Sequence, residues 1–373
     1  KFKSNTYDLT YIQKFRQRRG NNFFIEEFDQ TILGCGLHKL EDYLEYPRKG
    51  RKVGLQSKER GLVHMIYRLW LEQLRLQRGS TFSSKRLALL NHIESGRLNL
   101  DSEKFDFLFV DELQDLSVVA IRVLAKLVKY PENLTFSADT AQSIYLKSPS
   151  WSNISDKIRF HAGNSFILKK SYRMTKQIDR AISPLRLSSG DSDKESDGID
   201  QAIFDGTKPI WLDSPIGDHP RTAARLAKTL MQRGINLGQI AVITPDKRTT
   251  DLVSAEFKKL ELSVDLVAEN KMIDIYSNAV HLLHVHISKG LEFPFVIVVG
   301  VVEGSYPNSF AMQEARDSDE KQEELDKSRR LLYVALSRAA RGLYMLSDPV
   351  IPSPLLAFLR HEDWDKPIDT KEP

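Results

Sequence analysis

Apolar residues recur at spacings of three and four from Gly61 to Gln77. Val63, Ile66, Tyr67, Trp70 and Leu74 fall on one side of a helix, and Leu62, Met65, Leu69 and Leu76 widen that stripe. Arg68, Arg75 and Arg78 lie largely off the apolar face. Residues 1–100 read mainly as helices, with a basic loop at Arg48–Lys52 and breaks at Asn21-Asn22 and Gly79-Ser80.

The pattern changes after residue 104. Phe105–Val110 is a short apolar run ending at Asp111, Leu134–Ala138 is another ending at Asp139, and Phe166–Leu168 is a third. Val118–Tyr130 reads as a helix between the first two. Strands alternating with helices predict a parallel sheet with helices on its faces. Ser188–Gly198 is rich in Ser, Asp and Gly and reads as a loop or boundary. Beyond it the pattern predicts strands at 209–212, 240–244, 264–267, 281–285, 295–302 and 343–346. Helices are predicted at 222–232, 250–260 and 321–340. The reading is α/β: a helical basic part over residues 1–100, an α/β part over 101–187 and a second α/β domain over 188–373.

Composition narrows the function. The chain has 373 residues, 41% hydrophobic and 28% charged, which suits a globular protein of two or three domains. The net charge of +4 is an average over unlike regions. Residues 1–100 hold 19 Lys/Arg against 10 Asp/Glu, and the rest hold 35 against 40. The first quarter is thus the part expected to meet a polyanion, although a solvated basic surface gives the same count. The single cysteine, Cys35, rules out a disulfide framework and fits a reducing cytosol, so a cytoplasmic location is expected. No apolar run approaches the about 20 residues that span a bilayer, so no membrane association is expected.

Candidate chemistry clusters where strands end. In Phe109-Val110-Asp111-Glu112-Leu113-Gln114-Asp115, an apolar strand runs into two carboxylates. Ligands of open α/β sheets sit beyond the carboxyl ends of the strands. An Asp there can hold Mg²⁺ and a neighbouring Glu can deprotonate water, although two acids after a strand also occur at ordinary turns. Asp139-Thr140-Ala141-Gln142-Ser143-Ile144-Tyr145 places polar groups after the second strand, where Gln142 could sense a phosphate and Asp139 could simply cap a helix. Ser171-Tyr172-Arg173 offers a ring for a base and a guanidinium for phosphate. His286-Ile287-Ser288-Lys289-Gly290-Leu291-Glu292-Phe293 joins two strands. Arg329 through Ala339 is expected on a helix.

These five stretches, in this order, resemble motifs II to VI of the superfamily 1 DNA helicases of the UvrD/Rep/PcrA type, over roughly residues 100–348. Glu303-Gly304-Ser305-Tyr306-Pro307 extends the fifth. The resemblance implies RecA-like domains that hold ATP and walk along single-stranded or partly duplex DNA from 3′ to 5′, as a monomer. It implies that Asp111 coordinates Mg²⁺, Glu112 is the catalytic base and Gln142 couples the γ-phosphate to DNA. Tyr172 would stack on adenine and Arg173 would contact the γ-phosphate. Glu292 would approach the ribose or the strand, and Arg338 would be the arginine finger. Tyr145, His286 and Ser288 would lie near the DNA strand.

The sequence also departs from that family. No Gly-x-x-x-x-Gly-Lys-Ser/Thr stretch is present to cradle phosphates, and Gly34-Cys35-Gly36-Leu37-His38-Lys39 lacks the spacing. With no initiator Met, the expectation is a helicase chain lacking the phosphate-cradling part of its first RecA-like domain and inactive alone. The alternative is a non-catalytic DNA-binding or assembly module derived from a helicase. The third motif has Leu146-Lys147-Ser148 where the family has Gly-Trp-Arg, so Trp151 is either a stand-in for base stacking or an ordinary core or surface Trp. The 112 residues between Arg173 and His286 leave no room for the subdomain that larger members insert there.

Overall fold

The structure is a computed structural model that describes residues 9–47, 54–138, 166, 168, 170–187, 201–268 and 272–366. The segment around Arg48–Lys52, the stretch 188–198 and the third-motif residues Asp139, Gln142, Tyr145 and Trp151 lie outside the described residues. The chain forms two compact units, one of residues 1–166 with 313–324, the other of residues 167–312 with 325–373.

The first unit begins with helices α1 (Leu9–Arg18), α2 (Asn21–Glu26), α3 (Leu40–Glu45), α4 (Ser57–Leu76) and α5 (Phe82–Glu94), with a π-helical stretch over Glu27–Leu33 after α2. Helix α4 starts where the Glu59 carboxylate accepts the Gln56 N–H at 3.0 Å. Thr81 caps α5 by accepting the Ser84 N–H at 3.1 Å. Leu62, Val63 and Tyr67 of α4 pack with Phe15, Phe28 and Tyr43 in one core. The apolar stripe is narrower than its sequence: Leu69 and Leu76 are 56% and 72% exposed. They lie to one side of the three-and-four line that meets the other helices.

Strands β1 (Leu108–Val110) and β2 (Leu134–Phe136) pair in parallel, Leu108 opposite Leu134 and Val110 opposite Phe136. Helix α6 (Val118–Lys126) connects them. Val110 and Phe136 pack on Leu113 and Ile121. Alternation sends Phe105, Phe107 and Phe109 the other way. These three rings are 55%, 64% and 75% exposed. Segment 313–324 joins this unit through Arg19, which pairs with Asp317 and, at 3.5 Å, with Glu320.

The second unit is built on a six-stranded all-parallel sheet. Its strands are β5 (Ile210–Asp213), β6 (Ile240–Thr244), β7 (Val264–Leu266), β8 (Val280–His284), β9 (Phe293–Val298) and β10 (Ala339–Ser347), in spatial order β5-β10-β9-β6-β8-β7. Helices α8 (His219–Gln232) and α9 (Lys247–Lys259) cover it, through Ala223, Ala227, Val253 and Phe257 against Val242, Leu282 and Ile297. Every residue of β6 is buried, as a central parallel strand requires.

Three expectations shift. The strand expected at 166–168 lies later, as β3 (Lys170–Thr175), and pairs in parallel with β4 (Gln201–Phe204), which the pattern did not announce. Helix α7 (Lys176–Ile182) follows β3 directly. Residues 170–185, grouped by the motif order with the first α/β part, belong to the second compact unit. The helix expected to reach Ala340 is α11 (Ser318–Leu336), preceded by α10 (Ser309–Glu314). Ala339 already pairs with Phe293 in the sheet. Among the described residues, no helix is long and apolar enough to cross a membrane.

Candidate functional site

In the first unit, Asp111 and Glu112 leave the carboxyl end of β1. The β1–β2 register places Ser137 beside Asp111, and the Ser137 hydroxyl donates to the Asp111 carboxylate. The Ser137 N–H donates to Val110 O at 2.9 Å and the Leu113 N–H to Ser137 O at 2.9 Å, so the two strand ends brace each other. The Glu112 N–H donates to Asp111 Oδ1 at 2.9 Å. Glu112 is left-handed, with φ of 53°. A non-glycine residue in that conformation costs about 1–2 kcal/mol. Strain of this kind persists where the surroundings over-determine it, and Gln114, 4% exposed, donates its side-chain amide to the Glu112 carboxylate.

The donor set suits Mg²⁺, which takes hard oxygen ligands and few protein groups. Asp111 supplies a carboxylate at a strand end, with a hydroxyl against it. No cluster of three or more His, Cys, Asp or Glu fit to hold a metal occurs among the described residues.

In the second unit, the expected residues sort to opposite ends of the strands. At the carboxyl end of β8, His286 is exposed and its ring stacks on His284, centroids 5.0 Å apart. Desolvation and the neighbouring His284 hold the His286 pKa below its ordinary value. Ser288 is fully buried and donates its hydroxyl to Val285 O at 2.7 Å, so it presents no group to a strand in this conformation.

At the amino ends of β9 and β10 lie Glu292 and Arg338, with Arg173 of β3 against them. Arg173 Nε pairs with the Glu292 carboxylate, their side chains 37% and 43% exposed. Tyr172, 66% exposed, meets the edge of Phe204 with centroids 6.4 Å apart. Its open ring can receive a base. Arg338 is different. It occupies the turn between α11 and β10, is 1% exposed, and donates to Val334 O at 2.9 Å, Leu291 O at 3.1 Å and Ser337 Oγ at 3.0 Å. Arg329 is structural: it donates to the Pro184, Leu185 and Arg186 carbonyls and covers the Phe358 ring at 4.0 Å.

Ser137, Gln114 and His284 were not singled out from sequence. Ser137 was within reach of the pattern, because two parallel strands that each end in a polar run place those runs side by side.

Parallel sheets flanked by helices, with acids at the carboxyl end of β1, suit the RecA-like α/β helicase class. The comparisons agree. Residues 36–154 match the model of the UvrD/REP helicase N-terminal domain, and residues 267–348 match that of the UvrD-like helicase C-terminal domain. The chain belongs to the UvrD/Rep family of DNA helicases. It is 26% identical over 292 residues to the ATP-dependent DNA helicase Rep of Buchnera aphidicola, covering 72% of this chain and 42% of that protein. It is 38% identical over 121 residues to a putative ATP-dependent DNA helicase, YjcD, of Bacillus subtilis, covering 31% of this chain and 15% of that protein. Against DNA helicase II of Escherichia coli it is 37% identical over 78 residues, covering 21% and 10%. The chain thus spans less than half the length of these relatives.

Proposed function

We propose that this chain acts as an ATP-dependent DNA helicase that moves along single-stranded DNA from 3′ to 5′. Its ATPase site is completed by a phosphate-cradling segment that these 373 residues do not contain. The observation that carries the reading is the strained Glu112 beside Asp111 at the end of a parallel strand. In this reading Asp111 holds Mg²⁺, which supplies positive charge to phosphate oxygens, and Glu112 takes a proton from the attacking water. Arg173 binds phosphate and Tyr172 receives the base. His286 faces the DNA strand, Gln142 and Tyr145 belong to the same coupling by resemblance, and Trp151 stands in for the family's missing stacking Trp.

The Phe105, Phe107 and Phe109 face supports the completing segment. A parallel strand normally has both faces covered, and a two-stranded sheet is marginal alone. Phe109 on β1, and Phe105 and Phe107 just before the strand, expose three rings that an added α/β segment would bury. The test is to fuse a strand–Gly-x-x-x-x-Gly-Lys-Thr–helix segment ahead of residue 1 and measure DNA-stimulated ATP hydrolysis, with the unfused chain as reference. Activity that appears only in the fusion supports the reading.

The absence of a phosphate-cradling sequence favours one other reading, a DNA-binding module without catalysis. It predicts single-strand binding by this chain that no added segment converts into hydrolysis.

A further inference from the structure

Arg338 grips the Glu292 peptide from both sides. Its guanidinium donates to Leu291 O at 3.1 Å, and its own carbonyl accepts the Phe293 N–H at 3.0 Å. The residue between those two bonds is Glu292, whose carboxylate is directed onto Arg173. Arg338 is buried, whereas the Arg173–Glu292 pair is over a third exposed. The exposed cation that a polyphosphate would meet therefore already carries an anion, and a buried arginine fixes that anion in place.

We propose that Glu292 is a resident competitor for polyanions at Arg173, and that Arg338 is the positioning residue that holds it there. The inference rests on Arg173 being the phosphate contact. A ligand must displace a carboxylate to reach the guanidinium. The site therefore binds any phosphate ligand more weakly than an unpaired guanidinium would, because each must first break the Arg173–Glu292 pair. Glu292 then acts before nucleotide arrives, by setting the threshold for occupancy.

The experiment is calorimetric titration of the full chain with inorganic tripolyphosphate and with orthophosphate, for wild type and four variants. Glu292→Gln should bind tripolyphosphate about three- to fivefold more tightly, the scale of a partly exposed ion pair. Orthophosphate affinity should rise by a similar factor, since both ligands must displace the same carboxylate. Arg338→Lys should shift affinity in the same direction, and should add nothing in a Glu292→Gln background. Arg173→Ala should remove the binding.

Unchanged or weaker binding by Glu292→Gln, with Arg173→Ala still damaging, overturns the inference alone. Equal binding by Arg173→Ala and wild type, or no binding by any variant, overturns the assignment of Arg173 on which it rests. Should Arg338→Lys weaken binding equally in both backgrounds, Arg338 touches the ligand itself and the positioning role is wrong. Because Arg338 is buried, thermal unfolding accompanies each titration. If Arg338→Lys fails to fold, Glu292→Gln, on the surface, decides the competition claim.

Discussion

Ser137, the first residue after β2, donates its hydroxyl to the carboxylate of Asp111, the first residue after β1. The contact follows from the parallel register and braces the Asp111 carboxylate, the proposed Mg²⁺ contact. Ser137→Ala in the completed, active protein should raise the Mg²⁺ concentration for half-maximal hydrolysis about tenfold, as loss of a ligand's supporting hydrogen bond does. A Mg²⁺ titration of ATPase rate checks this.

Glu112→Gln keeps an acceptor for the Gln114 amide while removing the carboxylate proposed as the base. Turnover in the completed protein should fall by at least about 10²-fold, with the unfolding midpoint nearly unchanged. Single-turnover hydrolysis and calorimetric unfolding separate the two effects.

Arg329 satisfies three carbonyls at the end of the segment after α7 and covers Phe358. Arg329→Ala should cost about 2–3 kcal/mol, and Arg329→Lys should recover less than half, because an ammonium cannot reproduce the planar fork. Urea unfolding of the chain measures both.

His219 is buried. Its Nδ1 accepts the Gly300 N–H at 3.1 Å, and its other ring nitrogen lies 2.9 Å from Ser214 O. Burial lowers its pKa, as it does for His64. The unfolded chain, with His near about 6.5, then binds protons that the folded chain refuses. This stability is complete above about pH 6.5 and is lost as pH falls toward the depressed folded value. Unfolding free energy should drop between pH 7 and pH 5, and His219→Gln should flatten that slope while lowering stability at pH 7.5.

The central sheet was the most legible part of the sequence. The apolar run at 240–244 coincides with β6 because a strand buried on both faces has no polar positions to confuse its limits. The pairing of β3 with β4 was not legible, since Lys170–Thr175 is largely polar and Gln201–Phe204 is too short to stand out. Asp111, Glu112, Arg173 and Glu292 were singled out as candidates, but not the ion pair between the last two, which joins positions 119 residues apart. Arg338 is the instructive case. The family resemblance marked it as an arginine finger, whereas here its guanidinium lies on the Val334 and Leu291 carbonyls, a placement that only the fold supplies.

The exposed rings on β1 and just before it give another prediction. Phe107→Ser with Phe109→Ser should leave the stability of this chain within about 0.5 kcal/mol, as for substitutions that lose no buried contact. The same pair should lower self-association in sedimentation velocity.

The most direct measurement is DNA-stimulated ATP hydrolysis by these 373 residues alone and by the chain carrying the fused phosphate-cradling segment. The account predicts negligible turnover from the first and DNA-dependent turnover from the second, lost again with Glu112→Gln. Vigorous DNA-stimulated hydrolysis by the chain alone would contradict it.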